Sequence, residues 1–256
     1  MMNMKRKIIA MLISAVLLGF GSSLFANATG TVHDSYDALL QKYVKGFGFD
    51  YAALAKSDAD KKTLSTYVDA LEALNPDDMN RSEAFAYWIN LYNAATLELV
   101  IQNYPLKSIK DIGGIFKSPW KRKVVTVAGK ELTLDNIEHD IMRPTFKDAR
   151  LHFAVNCASI GCPPLSNRAY SAETLNEQLD AASKAALNDE RWVKITDGKL
   201  ELSKLFDWFK DDFTETSGSV RKYLATYVAE DKKAAVLNDS NKIRYKSYDW
   251  KLNSAN

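Results

Sequence analysis

The sequence predicts an α+β fold, with a long buried central helix, surrounding helices and a small antiparallel sheet. Apolar residues recur at helical spacing along most of the chain. Two short hairpin patterns interrupt that spacing. No internal repeat or linker divides residues 29–256, and 46% of the chain is hydrophobic, which is enough for a full core. Together these observations indicate a single domain over residues 29–256.

The first 28 residues are predicted to be a cleaved signal peptide. Lys5, Arg6 and Lys7 form a positive start, residues 8–20 are apolar, and Ala26-Asn27-Ala28 supplies a small-residue cleavage site. The apolar run is too short for a comfortable transmembrane span. An uncleaved N-terminal anchor is the alternative. We expect a periplasmic or secreted protein with no stable membrane anchor after cleavage.

The charge balance argues against a nucleic-acid binder. The whole chain has 34 basic and 32 acidic residues. Loss of the three basic residues of the signal peptide leaves 31 basic residues against the same 32 acidic residues. Nucleic-acid-binding domains normally carry a basic excess, and so do proteins that bind anionic membranes by charge.

Three helices are expected in the first half of the chain. Helical spacing of apolar residues predicts one over residues 33–45 and another capped by Ser57 or Asp58. The third should run over residues 82–103, before Pro105 stops it. This third helix is apolar nearly all round, so we expect it to be central and buried.

The second half alternates hairpins with shorter helices. Thr133 is a good N-cap, with Asn136 at the capping-box position, for a helix that Pro144 ends. The other expected elements are a loop over 112–120, a hairpin of 123–127 and 130–132, a strand from residue 151, a helix from Ser171, a hairpin of 191–195 and 199–202, helices over 205–213 and 220–228, and a final strand over 243–252.

Residues 151–165, L-H-F-A-V-N-C-A-S-I-G-C-P-P-L, are the most informative stretch. They contain His152 and both cysteines of the chain, Cys157 and Cys162. The first residues alternate as in a strand, and Gly and Pro then mark a turn. A strand end that passes polar side chains to a tight loop is a common place for a functional site.

Five blocks of sequence resemble a known family. They are F-A-Y-W-I-N-L-Y-N-A (85–94), L-T-L-D-N-I-E-H-D-I-M-R (132–143), R-L-H-F-A-V-N-C-A-S-I-G-C-P-P-L (150–165), F-D-W-F-K-D-D-F (206–213) and Y-D-W-K-L-N (248–253). Through these blocks the chain resembles the domain-of-unknown-function 547 family over nearly all of residues 29–256. The resemblance implies little about activity, because the family is named for its lack of an established one.

Nucleophilic catalysis is one hypothesis for this stretch. A cysteine reacts as a thiolate, which needs a nearby base or positive charge. Cys157 would be the nucleophile, with His152, or His139 on the preceding helix, as the base. A third group would orient the imidazole. The candidates for that group are Asn90, Asn93, Asn156 and Asp140.

Three other hypotheses remain for the cysteines. A disulfide is the default in an oxidising compartment, and a bridge between Cys157 and Cys162 would close a small loop worth about 2 kcal/mol. Zinc binding is another hypothesis, because His139, His152 and the two cysteines are suitable types of ligand. Their spacing matches no standard zinc pattern, so we expect no cofactor. The last hypothesis is that both cysteines are free thiols buried in the core.

For the remaining notable side chains, a structural role is the first expectation. Trp88 belongs to the core of the central helix, where Asn90 and Asn93 lie on one face. A buried amide must be hydrogen-bonded, so this pair either ties loops to the core or lines a pocket. The three aspartates within residues 206–213 are expected to bond backbone or face solvent.

Two functions fit these observations. One is an exported thiol-dependent hydrolase or acyl transferase that uses Cys157. The other is a non-catalytic periplasmic binding or accessory domain with a structural disulfide. In that domain the bridge and the Asn90/Asn93 pair brace a cleft for a small molecule or peptide, and Trp88 and Cys162 are candidate binding residues.

Overall fold

Helices make up most of the described chain and its strands are short, which confirms the predicted α+β class. The computed structural model describes residues 31–113, 118–196 and 198–255. The predicted signal peptide, residues 1–28, lies outside the described residues. Val32–Asn256 form one compact unit. Among the described helices, none combines the length and the apolar character needed to cross a membrane.

The central helix, α4 (Arg81–Gln102), is buried on nearly every side, as predicted. Asn80 caps it, because its side chain accepts a hydrogen bond from the Glu83 N–H while the Glu83 carboxylate accepts one from the Asn80 N–H. This capping box satisfies two otherwise open donors. A helix without a polar face must be covered all round, and the other elements supply that cover.

The helices on the N-terminal side follow the apolar pattern. The first, α1 (Asp34–Tyr43), packs on α3 (Asp58–Glu72), which also packs on α4. Ser57 caps α3 as expected, since its hydroxyl accepts a hydrogen bond from the Asp60 N–H. Between α1 and α3 lie β1 (Val44–Lys45), β2 (Gly48–Phe49) and α2 (Tyr51–Lys56).

The predicted hairpin of β3 (Lys123–Val127) and β4 (Lys130–Thr133) is confirmed. Thr133 and Asn136 then exchange hydrogen bonds between their side chains and backbone N–H groups, as expected. The helix that follows is a π-helix over Asn136–Met142, continued by α5 (Arg143–Phe146). Pro144 therefore does not end the helix. It lies in the first turn of α5, where a missing N–H is tolerated.

The strand predicted from residue 151 is wrong. Leu151–Ala154 form a single helical turn, α6, and the Val155 N–H donates to the Leu151 carbonyl. All four residues are buried, and an apolar run of this length does not distinguish a strand from a buried helical turn. Helix α7 (Leu175–Leu187) packs on α6 and starts later than the expected Ser171.

A second core cluster occupies the C-terminal half. Strands β5 (Val193–Thr196) and β6 (Lys199–Leu202) form the second predicted hairpin, whose Asp197 lies outside the described residues. Strand β7 (Lys242–Tyr245) adds to β6 in parallel, so the sheets are not all antiparallel. The remaining helices are α8 (Leu205–Trp208), α9 (Lys210–Ser217), α10 (Val220–Tyr227) and α11 (Glu230–Leu237). The pair α8 and α9 replaces the one helix expected over 205–213, and α11 was not predicted.

The end of the chain returns to residues 157–162 instead of extending the final strand to residue 252. The Ile160 N–H donates to the Lys251 carbonyl, and the Gly161 N–H donates to the Asp249 carbonyl. These bonds place the aromatic residues of the tail beside the two cysteines.

Candidate functional site

A cavity of ≈ 280 Å³ lies where the tail, the π-helix and the residues after α6 meet. Cys157, Cys162, His139 and His152 all line it. The fold therefore brings together the four side chains that the sequence marked as candidates for chemistry.

Aromatic rings form much of the wall. The ring of Tyr248 lies 4.5 Å from that of Trp250 and 4.9 Å from that of Trp208, between ring centroids. Trp120 lies 5.3 Å from Trp250. Trp208 is 44% exposed. Rings that line a cavity and stay partly open to solvent leave faces on which a ligand can stack.

The charge of the lining is negative. Among the described residues of the wall, Asp135 and Glu138 carry carboxylates, and none is Lys or Arg. The side chain of Glu138 is only 12% exposed. Burial, together with the nearby Glu138 carboxylate that accepts its hydrogen bond, holds the pKa of Tyr92 well above its usual value. In the described chain the Asp135 carboxylate has no hydrogen-bond or ion-pair partner, so it is available to a ligand.

An ionic network, defined here as Arg143, Asp212 and His152, supports one side of the cavity. The Arg143 guanidinium donates two hydrogen bonds to the Asp212 carboxylate, from Nε at 2.7 Å and from Nη2 at 2.9 Å. His152 Nε2 lies 2.7 Å from Asp212 Oδ2. Burial alone would raise the pKa of Asp212, but the hydrogen bonds with His152 and Arg143 outweigh it and hold that pKa well below its usual range.

The imidazole of His152 is fixed by both packing and hydrogen bonding. The residue is 2% exposed, and its ring stacks on Phe209 at 3.9 Å between centroids. Asp212 engages Nε2, and Nδ1 has no hydrogen-bond partner in the described chain. An imidazole whose Nε2–H donates to a carboxylate keeps a free lone pair on Nδ1. His152 therefore has one ring nitrogen, Nδ1, that no other side chain or backbone group of the described residues engages.

His139 is less constrained. Its side chain is 40% exposed, and Nδ1 lies 3.5 Å from Arg143 Nη1 and 3.9 Å from Glu138 Oε1. The next turn of the same helical segment supplies Arg143, so both residues sit on the side of that segment which faces Asp212.

The two cysteines are bridged. Cys157 and Cys162 form a disulfide, with their Cα atoms 6.2 Å apart. The Tyr248 hydroxyl lies 3.1 Å from the Cys162 sulfur and 3.2 Å from the Cys157 sulfur. In the part of the chain that the structure describes, neither His139 nor His152 hydrogen-bonds to Cys157. The disulfide hypothesis is therefore the one that the structure supports.

An amide network, defined here as Tyr51, Asn93, Asn156 and Asn253, lies behind the bridge. Asn93 donates to the Ala154 carbonyl at 2.9 Å and accepts from the Asn156 N–H at 2.9 Å. Asn253 donates to Asn156 Oδ1 at 3.2 Å and accepts from the Tyr51 hydroxyl at 2.7 Å. These buried amides are satisfied within the protein, and they fix the chain on both sides of the disulfide.

The remaining predicted binding residues do not line this cavity. Asn90 donates to the Tyr170 carbonyl at 2.8 Å and accepts from the Tyr170 N–H at 2.9 Å, so it ties a loop to α4. Asn93 acts on the site indirectly through Asn156. Trp88 lines a different cavity, together with Phe146.

Several site residues were not among the sequence candidates. They include Asp212, Tyr248, Trp208, Trp250 and Glu138. All five belong to the blocks that carry the family resemblance. Three of them are aromatic residues next to acidic ones, at Asp207-Trp208 and at Tyr248-Asp249-Trp250. Aromatic residues interleaved with acids are the signal that could have pointed to the cavity.

Metal ligation finds no support in the cavity geometry. Within the described ranges, no group of three or more His, Cys, Asp or Glu side chains is arranged to hold a metal ion. Two of the four proposed zinc ligands, Cys157 and Cys162, are joined to each other.

Comparison with known families gives one result. The sequence model of the family described as "Protein of unknown function, DUF547" matches residues 76–185 and confirms the predicted resemblance. That stretch contains Glu138, both cavity histidines and both cysteines, whereas Asp212 and the aromatic tail lie beyond it. Neither the curated proteins nor the solved structures include a significant match to this chain.

Proposed function

We propose that this chain, whose residues 76–185 match the DUF547 family model, is a non-catalytic binding domain for a small molecule or peptide with a cationic amine. The observation that carries the proposal is the cavity wall, which combines a cluster of aromatic rings with carboxylates and contains no Lys or Arg among its described residues. Aromatic faces and carboxylates together attract a cation and disfavour an anion.

The rings around the cavity already attract cations within the protein. The Lys110 ammonium lies 3.7 Å from the centre of the Trp250 ring, and the Arg143 guanidinium lies 5.0 Å from that of Phe209. A ligand amine inside the cavity would meet the same type of electron-rich face. It would also meet Asp135, whose carboxylate has no described partner to compete with it.

The disulfide favours binding over thiol catalysis. A thiolate nucleophile requires a free sulfur, and the Cys157 sulfur is bonded to Cys162. The bridge and the amide network instead give the cavity a rigid wall, as the sequence-based hypothesis of a braced cleft requires.

We also propose that the protein is exported to the periplasm or secreted. The support is the signal-peptide pattern of residues 1–28, together with a disulfide of the kind that persists in oxidising compartments. Cell fractionation and the mass of the purified protein would test this. Intact residues 1–28 on a cytosolic protein would contradict it.

Calorimetric titration with choline tests the binding proposal. We expect saturable binding that is about tenfold tighter than that of the uncharged carbon isostere, since a desolvated cation–π contact is worth about 1–2 kcal/mol. Asp135→Asn should weaken choline binding and leave the isostere unaffected. Asp140→Asn is the matched control, because Asp140 lies outside the cavity and accepts from Asn136. Equal affinity for choline and the isostere would refute the proposal.

A thiol-dependent hydrolase or acyl transferase is the second candidate. It is favoured by one observation, that Cys157, His139 and His152 line the same cavity. This activity would require prior reduction of the bridge. Reduced protein should then acylate Cys157 with an activated ester, detected by mass, and His152→Ala should slow the reaction. An unmodified Cys157 in reduced, folded protein would exclude this candidate.

A further inference from the structure

We propose that the Cys157–Cys162 bridge is a thiol–disulfide exchange site, in which an incoming thiolate attacks Cys157 and Cys162 is the leaving group. The proposal does not depend on what else the cavity binds. It rests on how the loop is held, on the difference between the two sulfurs, and on their position in the cavity wall.

Hydrogen bonds hold the loop independently of the bridge. The Asn156 side chain donates to the Pro163 carbonyl at 2.7 Å and accepts from the Ala158 N–H at 2.9 Å, so one amide ties both ends of the loop together. The Asn253 N–H also donates to the Ala158 carbonyl. A disulfide across so short a loop adds little to such a framework. Its reduction should therefore leave two thiols in place and the fold intact.

The two sulfurs differ in accessibility. Cys157 is half-buried, whereas Cys162 is 7% exposed. Attack on a disulfide requires access to one sulfur along the bond. Both cysteines line the cavity, and Cys157, the more exposed of the two, is the more accessible to an incoming thiolate.

The two sulfurs also differ in their hydrogen bonds. Cys162 accepts from the Cys157 N–H at 2.9 Å, and the Tyr248 hydroxyl lies 3.1 Å from its sulfur. Among the described residues, the Cys157 sulfur has hydroxyl neighbours alone, Tyr248 at 3.2 Å and Ser159 at 3.4 Å. Donors aimed at a sulfur stabilise its thiolate, and a stabilised thiolate leaves faster. The backbone N–H of Cys157 donates to Cys162 and not to its own sulfur, and this fixed donor marks Cys162 as the leaving group.

The reaction balances as an ordinary exchange. A thiolate, R–S⁻, forms a bond to the Cys157 sulfur while the bond between the two cysteine sulfurs breaks, and its electron pair leaves on Cys162. A second thiolate then attacks the sulfur of R and releases Cys157 as a thiolate. Two thiols are oxidised to R–S–S–R, and the protein disulfide is reduced to a dithiol. The substrate class is a thiol small enough to enter the cavity.

The first test uses oxidised full chain and β-mercaptoethanol, which is uncharged and so does not depend on the charge of the cavity. Iodoacetamide added during the reaction should label Cys162, while Cys157 carries the mercaptoethanol adduct, as located by peptide mass. The opposite labelling would overturn the proposal. So would a bridge that resists the thiol until denaturant unfolds the chain.

The second test measures the rate of reduction in Tyr248→Phe. Loss of a donor to a developing thiolate should slow reduction about tenfold. Tyr36→Phe is the matched control, because the Tyr36 hydroxyl is buried without a hydrogen-bond partner among the described residues. An unchanged rate in folded Tyr248→Phe would contradict a role for the Tyr248 hydroxyl in stabilising the departing thiolate, whereas the labelling pattern decides which sulfur departs. If that variant does not fold, the labelling pattern of the wild-type chain still decides the question.

Discussion

The amide network and the ionic network border the same cavity but are built from different chemistry. Every member of the amide network is neutral, and each of its hydrogen bonds joins segments that are far apart in the sequence. The ionic network holds His152 through the charged pair of Arg143 and Asp212. The first therefore fixes the position of the backbone around the disulfide, and the second fixes the orientation of one imidazole.

The amide network therefore determines the shape of the site, and the ionic network determines the orientation of a group that could take part in its chemistry. Neutral amides keep their hydrogen bonds across the physiological pH range, so the disulfide wall should not respond to pH. A carboxylate held by a guanidinium and an imidazole loses its partners when it is protonated. Substitutions in the two networks should therefore have different signatures.

The largest effect is expected for Asn156→Ala in the amide network. This change leaves the Pro163 carbonyl, the Ala158 N–H and the Asn253 amide unpaired in a buried region. We expect the free energy of unfolding to fall by about 3 kcal/mol, measured by chemical denaturation. Asn103→Ala is the control, since Asn103 donates one half-buried bond to the Leu99 carbonyl and should cost about 1 kcal/mol. Equal losses of unfolding free energy in the two variants would show that Asn156 contributes no more than an ordinary hydrogen-bonded asparagine.

A smaller loss is expected for Asp212→Asn in the ionic network. It weakens charge-assisted bonds with Arg143 and His152, but the Asp212 side chain is 24% exposed and solvent screens part of their strength. We expect a loss of about 2 kcal/mol in the free energy of unfolding. In the same experiment Asp211→Asn, next to it and without a described ion-pair partner, should change stability little. A loss in Asp211→Asn as large as that in Asp212→Asn would argue against a specific network.

The smallest effect is a change in acid sensitivity. The pKa of Asp212 lies below its unfolded value of about 3.9, so its stabilisation is complete above that pH and is lost as the pH falls through the folded pKa. The wild-type chain should therefore lose stability more steeply than Asp212→Asn below about pH 4. Unfolding free energies measured over a pH series would show it. Parallel curves would mean that Asp212 does not contribute to acid denaturation.

The elements with local signals were the predictable ones. The central helix α4 and the two hairpins follow from apolar spacing and turn residues that lie within the segments themselves. Helix α6 was missed because its four residues are all buried, and so their spacing carries no period. The break between α8 and α9 at Phe209 has no local signal either, since that ring is positioned by its stacking on His152.

The candidate site was predictable only for the residues that lie close together in the sequence. Cys157, Cys162, His139 and His152 stand within one stretch or on the helix before it, and the cavity contains all four. Spacing alone left the state of the cysteines open. Asp212 and Tyr248 reach the site from 60 and 91 positions along the chain, a contact that only tertiary structure creates.

The returning tail has a consequence for the order in which the protein can be assembled. Asn253 pairs with Asn156, and the backbone of Phe49 is bonded to Asn253 and Ala255. A chain whose last segment has not yet docked lacks one wall of the cavity and one partner of the disulfide loop. During folding, the two sulfurs are therefore more open to solvent and to enzymes that form or rearrange bridges than they are once that segment has docked.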